Sequence, residues 1–459
     1  MNKDAKCPLR FSPVSDKKVE AQFDGGAITT DAGVLLLRET EQHTGIINAL
    51  SLCVIDRRDQ RYVTHSTKDM LSQRTYQIAL GYEDGNDCNT LRSDPAFKLA
   101  VGRLPLSGED LASQPTISRF ENGVRRKELF KMAHVLADQF VDSYSKPPHI
   151  IVLDFDDTED KAHGNQELIL FNGYYKSHCY LPLHIYEGIS GKLISAILKP
   201  GKRSTGKQIV AILKRIVKKI RASWADTTIL FRGDSHFCCP EVLRFCRKRG
   251  LLYCIGLAGN SVLKRMVKEL IAEAKSVFSV ANRRVRLYES FTYQAESWDE
   301  PQEVVVKVEI SDQGCNLRFV VNNLDESNPI VIYQDIYCGR GQAENHIKNH
   351  KIHLKSDRTS CHSFAANQFR LFLHSAAYNL FHALRENTLK TSEFAKAEFD
   401  SIRLYLLKIG AMVQEMKSKV KFHLPSSFPL KPILRKACTI FCSLFVPESA
   451  HTVSPILRQ

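Results

Sequence analysis

Apolar residues fall in short runs whose period changes along the chain, and those changes divide it. Over residues 1–145 they recur mostly three and four apart, between polar breaks such as GYEDGNDCN (81–89) and RLPLSGED (103–110). This spacing predicts a mostly helical region. SYSKPPH (143–149) is a proline-rich joint. Strand-like runs follow at 150–155, 179–186 (CYLPLHIY), 192–198 (KLISAIL) and 228–232 (TILFR). Between them, GKQIVAILKRIVKKIRA predicts a helix over 206–222 with Ile209, Ile212, Ile216 and Ile220 on one face. From 277 to 325, β-branched and aromatic residues alternate as in an antiparallel sheet. Helical spacing returns at 338–385 and 400–417. After that, Lys419, Lys421 and His423 alternate with Val420, Phe422 and Leu424, the pattern of an edge strand with a basic face. No internal repeat interrupts this order.

A chain of 459 residues exceeds one ordinary core, so two or three domains are expected. Its 64 basic residues against 50 acidic ones give a net charge of +14, an excess that favours a polyanionic partner, most often nucleic acid. Eight of the basic residues lie between Lys202 and Arg221, where they can meet phosphate or form a solvated face. The 13 cysteines are scattered and contain no CxxC pair, which argues against a disulfide framework and against structural zinc. MNKDAKCPLR lacks the apolar centre of a signal peptide, and CTIFCSLFV (438–446) is far shorter than a membrane span. A cytoplasmic protein without a membrane partner is expected.

The candidate chemistry begins at IVLDFDDTEDKAHG (151–164). On a strand, Asp154 and Asp156 emerge on one face and Asp157 on the other, where it reads as structural. Carboxylates crowded at a strand tip are costly unless a metal or a proton neutralises them. LDFDDT resembles the first motif of haloacid-dehalogenase-like phosphatases, in which Asp154 would be the nucleophile and Asp156 the general acid. RGDSHFCCPE (232–241) resembles their last motif, but Cys238 and Cys239 stand where its second acid belongs.

The far end of the chain favours a different chemistry. In YCGRGQAENHIKNHK (337–351), Tyr337, Arg340, Glu344 and Lys351 fall within an arc of about 60° on an α-helix. One face thereby carries an acid flanked by two cations and a phenol. Glu344 can ligate a metal, Arg340 can steady it and grip phosphate, and Tyr337, Lys351 and the neighbouring Lys348 can reach a nucleic-acid backbone. His346, His350 and His353 invite a zinc reading, although beside an oxygen-ligand site phosphate or solvent contact suits them better. SQPTISRFENGVRRK (113–127) resembles a recognition helix, with Thr116, Ser118 and Arg119 facing DNA, yet LA at 111–112 runs into Ser113 without room for the usual turn.

Tyr-x2-Arg-x3-Glu-x6-Lys is the signature of one branch of DDE-type insertion-sequence transposases, and the chain resembles the insertion sequence 1380 family within it. The resemblance also covers FDGGAITTDAGVLLLRE (23–39), HSTKDMLSQRTYQIALGYEDGNDCNTLRSDPAF (65–97), RGDSHF and SDRTSCHSFAANQFRLFLHSAAYNL (356–380). It implies an α/β ribonuclease H-like core with a β-rich insertion between the second and third acids. A mostly helical N-terminal domain and a helical C-terminal region would flank this core. The expected parts are a DNA-binding region at 1–145, the core at 146–250 and 329–385, the insertion at 251–328, and a basic region at 386–459. Asp156 or Asp154, with Asp234 and Glu344, would form the triad. Of the two, Asp156 fits the Asp-x-Thr step through Thr158. Mg²⁺, with Mn²⁺ able to substitute, would serve cleavage and transfer of DNA strands. The implied partners are terminal inverted repeats and target DNA, with a homodimer on paired ends, in a bacterial cytoplasm at the nucleoid. A catalytically silent DNA-binding relative is the alternative.

Overall fold

The computed structural model describes residues 8–444. The chain forms two compact units: one of Met1–Glu128, His353–Lys355 and Ala376–Gln459, the other of Leu129–Ile352 and Ser356–Ser375. Residues 1–7 of the expected N-terminal region and 445–459 of the C-terminal one lie outside the described residues.

The first unit opens not with a helix but with a hairpin, β1 (Leu9–Val14) and β2 (Lys17–Ala21), followed by a short β3 (Ile28–Thr29). Ser15 and Asp16 both take positive φ (45° and 65°), as a tight two-residue hairpin turn requires. The expected helices follow, among them Val34–Thr44 and Thr67–Ala79. The latter starts on a Ser66/Asp69 capping box. Its Arg74 is wholly buried and reaches Glu121 at 3.1 Å, which ties it to the helix Gln114–Gly123.

The second unit is built on one mixed sheet. Its strands begin with β4 (Ile150–Asp157). A small separate sheet follows, made of β5 (Asp160–Lys161), β6 (Leu170–Asn172) and β7 (Ser177–Tyr180) in the order β5-β7-β6. The main sheet continues with β8 (Leu183–Glu187), β9 (Leu193–Ile197), β10 (Thr228–Gly233) and β11 (Leu252–Leu257), then the meander β12 (Val285–Tyr293), β13 (Gln302–Ser311) and β14 (Gly314–Asn322). The eight strands lie in the order β12-β13-β14-β11-β10-β4-β8-β9. β10 runs parallel to both β4 and β11, and the other pairs are antiparallel. The continuous apolar run of β4 is what a strand covered on both faces needs, and Ile151 to Phe155 are buried.

Three expectations are corrected by this unit. The run at 179–186 is two strands in two sheets, because Pro182 cannot donate to a ladder. The first part of 277–325 ends a helix, Lys268–Ala281, which is closed by Asn282 in the left-handed region, so the sheet starts only at Val285. The helix Gly206–Ser223 starts on a Thr205/Gln208 capping box and buries Ile209, Leu213, Ile216, Val217 and Ile220, with Ile212 only half-buried at the edge of that face.

In the first unit's C-terminal part, the helix expected at 400–417 is cut short. Phe399–Ile402 is α-helical and Arg403–Leu407 is wound wider. After Gly410 the chain becomes β15 (Ala411–Glu415), which pairs with β3 and with the edge strand β16 (Val420–His423). The alternating burial of Ala411, Met412 and Val413 explains why strand wins there. Among the described residues no helix is long and apolar enough to cross a membrane.

Candidate active site

The two faces of β4 have different fates. Ile151, Leu153 and Phe155 pack with Ile229, Phe231 and the helix Gly206–Ser223 in the main core. The other face carries Val152, then Asp154, then Asp156. Asp154 stands opposite Arg232 of β10 in the parallel register. Arg232 Nε and Nη2 donate to its two carboxylate oxygens at 2.7 Å each, and both side chains are buried. The remaining nitrogen, Nη1, donates to the carbonyl of Ile336 at 2.7 Å. Glycines make this possible. A Cβ at Gly188 would stand 2.4 Å from Arg232 Nη2 and Asp154 Oδ2, and one at Gly339 would stand 2.7 Å from Arg232 Nη1.

Two residues further along the same face, Asp156 opens onto a cavity of about 690 Å³. Asp234, just past β10, and Glu344, on the short helix Gln342–Lys348, line the same cavity, with Asp157, Tyr337 and Arg340. Asp234 Oδ1 accepts from the His236 amide at 2.9 Å, which fixes the turn after β10. Burial pushes the Asp156 carboxyl up to about 7. Arg340 pulls the other way, and the charges of Asp234, Asp157 and Glu344 add to the rise. Asp157, which also borders the cavity, accepts from Lys199 Nζ at 2.7 Å.

Segment 331–353 is not the uniform helix its spacing predicts. Val331–Tyr337 is π-wound, Cys338–Gly341 is tighter, Gln342–Lys348 is α-helical, and Asn349–His353 is π-wound again. Of the four signature side chains, Tyr337, Arg340 and Glu344 still line one cavity, and Lys351 does not. Arg340 Nη1 donates to Asp156 Oδ2 at 3.1 Å rather than steadying Glu344. Tyr337 is half-buried beneath Gly256, where a Cβ would stand 2.6 Å from its hydroxyl. Lys351 is turned inward, donating to Thr158 Oγ1 at 3.3 Å and to the Glu159 carbonyl, with Asp160 Oδ1 at 3.7 Å. Lys348 is half-buried at the end of its helix, and Arg119, in the other unit, is exposed on the helix Gln114–Gly123.

The histidines do not converge as zinc ligands. His350 is buried with Ser356 Oγ 2.7 Å from Nδ1 and Ser375 Oγ 3.1 Å from Nε2, whereas the His346 ring lies against Tyr186. Among the described residues, the group whose ligand atoms all lie within 4.8 Å of one another is His353, Glu398 and Asp400, in the first unit. The carboxylates of Asp156, Asp234 and Glu344 are not drawn together so closely. Their donor set is all oxygen. Such a set suits a hard divalent cation better than zinc.

Sequence reasoning missed two groups of residues here. The sequence marks Arg232 only as the end of a strand, and a long cation behind an acid carries no spacing signal. Tyr174 and Tyr175 also line the cavity, from the turn between β6 and β7. The Asn172-Gly173 dipeptide between LILF and SHCY marks that hairpin and is the signal that could have revealed it.

The family described as "Transposase DDE domain group 1" matches residues 11–444, and the chain belongs to it. No curated protein matches the chain significantly. Among solved structures, the chain is similar to the cryo-EM structure of the piggyBac transposase synaptic complex with hairpin DNA. Identity is 14% and the TM-score 0.45, over 93% of this chain and 87% of that one.

Proposed function

We propose that this chain is an active DDE transposase of the Tyr-Arg-Glu-Lys branch, close to the insertion sequence 1380 family. In this reading it binds the terminal inverted repeats of its element, cleaves DNA strands and joins them to target DNA. The observation that carries the reading is the meeting of Asp156, Asp234 and Glu344, from three separate elements, on one cavity. The strand order β9-β8-β4-β10-β11 favours a ribonuclease H-like core, with β12–β14 as the insertion that prolongs it.

Asp156, Asp234 and Glu344 would hold divalent metal, Mg²⁺ or Mn²⁺, which when bound activates the attacking oxygen and stabilises the leaving one. The chain's own groups set the stage for that ion. Arg232 fixes the height of β4 and the entry of the third-acid segment by holding Asp154 and the Ile336 carbonyl at once. Arg340 balances Asp156 and stands where a phosphate would arrive. Lys351 anchors the loop after Asp156. Exposed Arg203 and Arg318, on the cavity wall, would meet the strand's phosphates, as would Lys348 and Tyr337 of the same unit, and Arg119, in the first unit, would also contact DNA.

A phosphatase with Asp154 as nucleophile is disfavoured, because both Asp154 oxygens are occupied and buried. The test is strand cleavage of DNA carrying the ends of the encoding element, with Mg²⁺, for wild type and for Glu344→Gln. Cleavage by wild type alone supports the proposal. A wild type that binds the ends without cutting them would identify a silent DNA-binding relative instead.

A further inference from the structure

The small sheet β5-β7-β6 carries more exposed apolar surface than its size explains. Leu168, Leu170, Phe171 and Tyr174 are all exposed, Tyr174 by 77%. Scattered surface apolar residues are ordinary, but four within the seven residues 168–174 around one hairpin make a candidate contact surface. The turn is also built stiffly. Asn172 Oδ1 accepts from the amides of both Tyr174 (3.0 Å) and Tyr175 (3.3 Å), an arrangement that fixes the two residues in order. Lys176 closes the turn at φ 54°, a left-handed conformation that glycine would adopt without strain. The two tyrosine rings stand edge to face, their centroids 4.9 Å apart.

The position of this turn suggests what the rings contact. Both tyrosines line the cavity that holds Asp156, and Arg203 and Arg318 line it too. A strand whose phosphate sits at the acids and whose neighbouring phosphates meet the arginines would have bases free to lie against the part of the wall that carries Tyr174 and Tyr175. We propose that Tyr174 and Tyr175 are positioning residues that stack on unpaired bases flanking the phosphate held at the acids. The hairpin would thus select a strand already splayed from its duplex. This rests on the DNA-strand-cleaving function proposed above. Stacking tolerates every base, so the contact would not read sequence.

The test compares binding of a mixed-sequence single strand carrying 2-aminopurine with binding of the blunt duplex formed from it. Wild type, Tyr174→Ala, Tyr175→Ala and the corresponding Phe variants are measured, with folding checked by circular dichroism. Wild type should favour the single strand and quench its fluorescence. Each Ala variant should lose roughly tenfold of that affinity, with little change on duplex, and each Phe variant should retain it. Ala variants that bind the single strand as wild type does, or Phe variants that lose as much as Ala, overturn the proposal. Wild type that cleaves end-bearing DNA while the Ala variants bind and cleave normally removes the stacking role alone. Wild type that neither cleaves nor binds removes the transposase reading and the stacking role with it.

Discussion

Arg232 grips Asp154 through two hydrogen bonds of 2.7 Å and leaves Asp156, two residues on, to the cavity. Of two acids on one strand face, one is held in a buried ion pair and the other faces the cavity. Asp154→Asn should therefore lower thermal stability, since breaking a buried pair costs on the order of 3–5 kcal/mol. Arg232→Met should behave alike. Asp156→Asn should leave the melting temperature near or above that of wild type. Thermal melts of the three variants decide this, and equal losses from Asp154→Asn and Asp156→Asn would refute the division of roles.

Asp156→Asn, Asp234→Asn and Glu344→Gln should each cut strand cleavage by roughly a thousandfold or more. A second readout needs no DNA. Mn²⁺ should raise the melting temperature of wild type by mass action and should not raise that of Asp234→Asn. A metal-induced shift that survives in all three variants would place the ion elsewhere, with His353, Glu398 and Asp400 the next site to vary.

Lys351 and Arg203 should separate in a salt titration. Arg203 lies exposed on the cavity wall, so Arg203→Gln should reduce the slope of log affinity against log salt by about one. Lys351 is spent on Thr158, Glu159 and Asp160. Lys351→Gln should leave that slope unchanged and lower stability by about 1–3 kcal/mol through lost buried hydrogen bonds.

Glu41 gives the first unit a pH dependence. Its carboxylate accepts from the amides of Ile47 and Asn48 at 2.9 Å each, yet burial pushes its pKa up to about 7. Between about pH 4.5 and 7 the unfolded chain ionises at this position and the folded chain does not. The stability contribution is thus fully present below 4.5 and is lost as pH rises through 7, on the order of 3 kcal/mol. Glu41→Gln, which mimics the protonated acid, should flatten melting temperature across that window. An unchanged slope in the variant would show that other groups set it.

What could be read from the sequence follows from how local each cause is. The strand at 150–155 and the helix at 206–222 were legible because apolar period and capping residues are local properties. Glu344 was legible through the spacing of its neighbours. The partner of Asp154 was not, since Arg232 is 78 residues away and meets it only through strand register. Nor was the inward turn of Lys351, because a 3.6-residue period does not hold where the backbone widens and tightens.

That uneven winding has a mechanical consequence. A π-wound turn is an α-helix holding one residue too many, so segment 331–353 carries slack on both sides of Glu344. Ile332 and Tyr333, within the first such turn, pack against the sheet and fix where the helical path to Glu344 begins. Deleting a single residue between Tyr337 and Glu344 would therefore swing that carboxylate by roughly 100° around the helix axis. The third acid is thus aimed by the count of residues before it as much as by its identity.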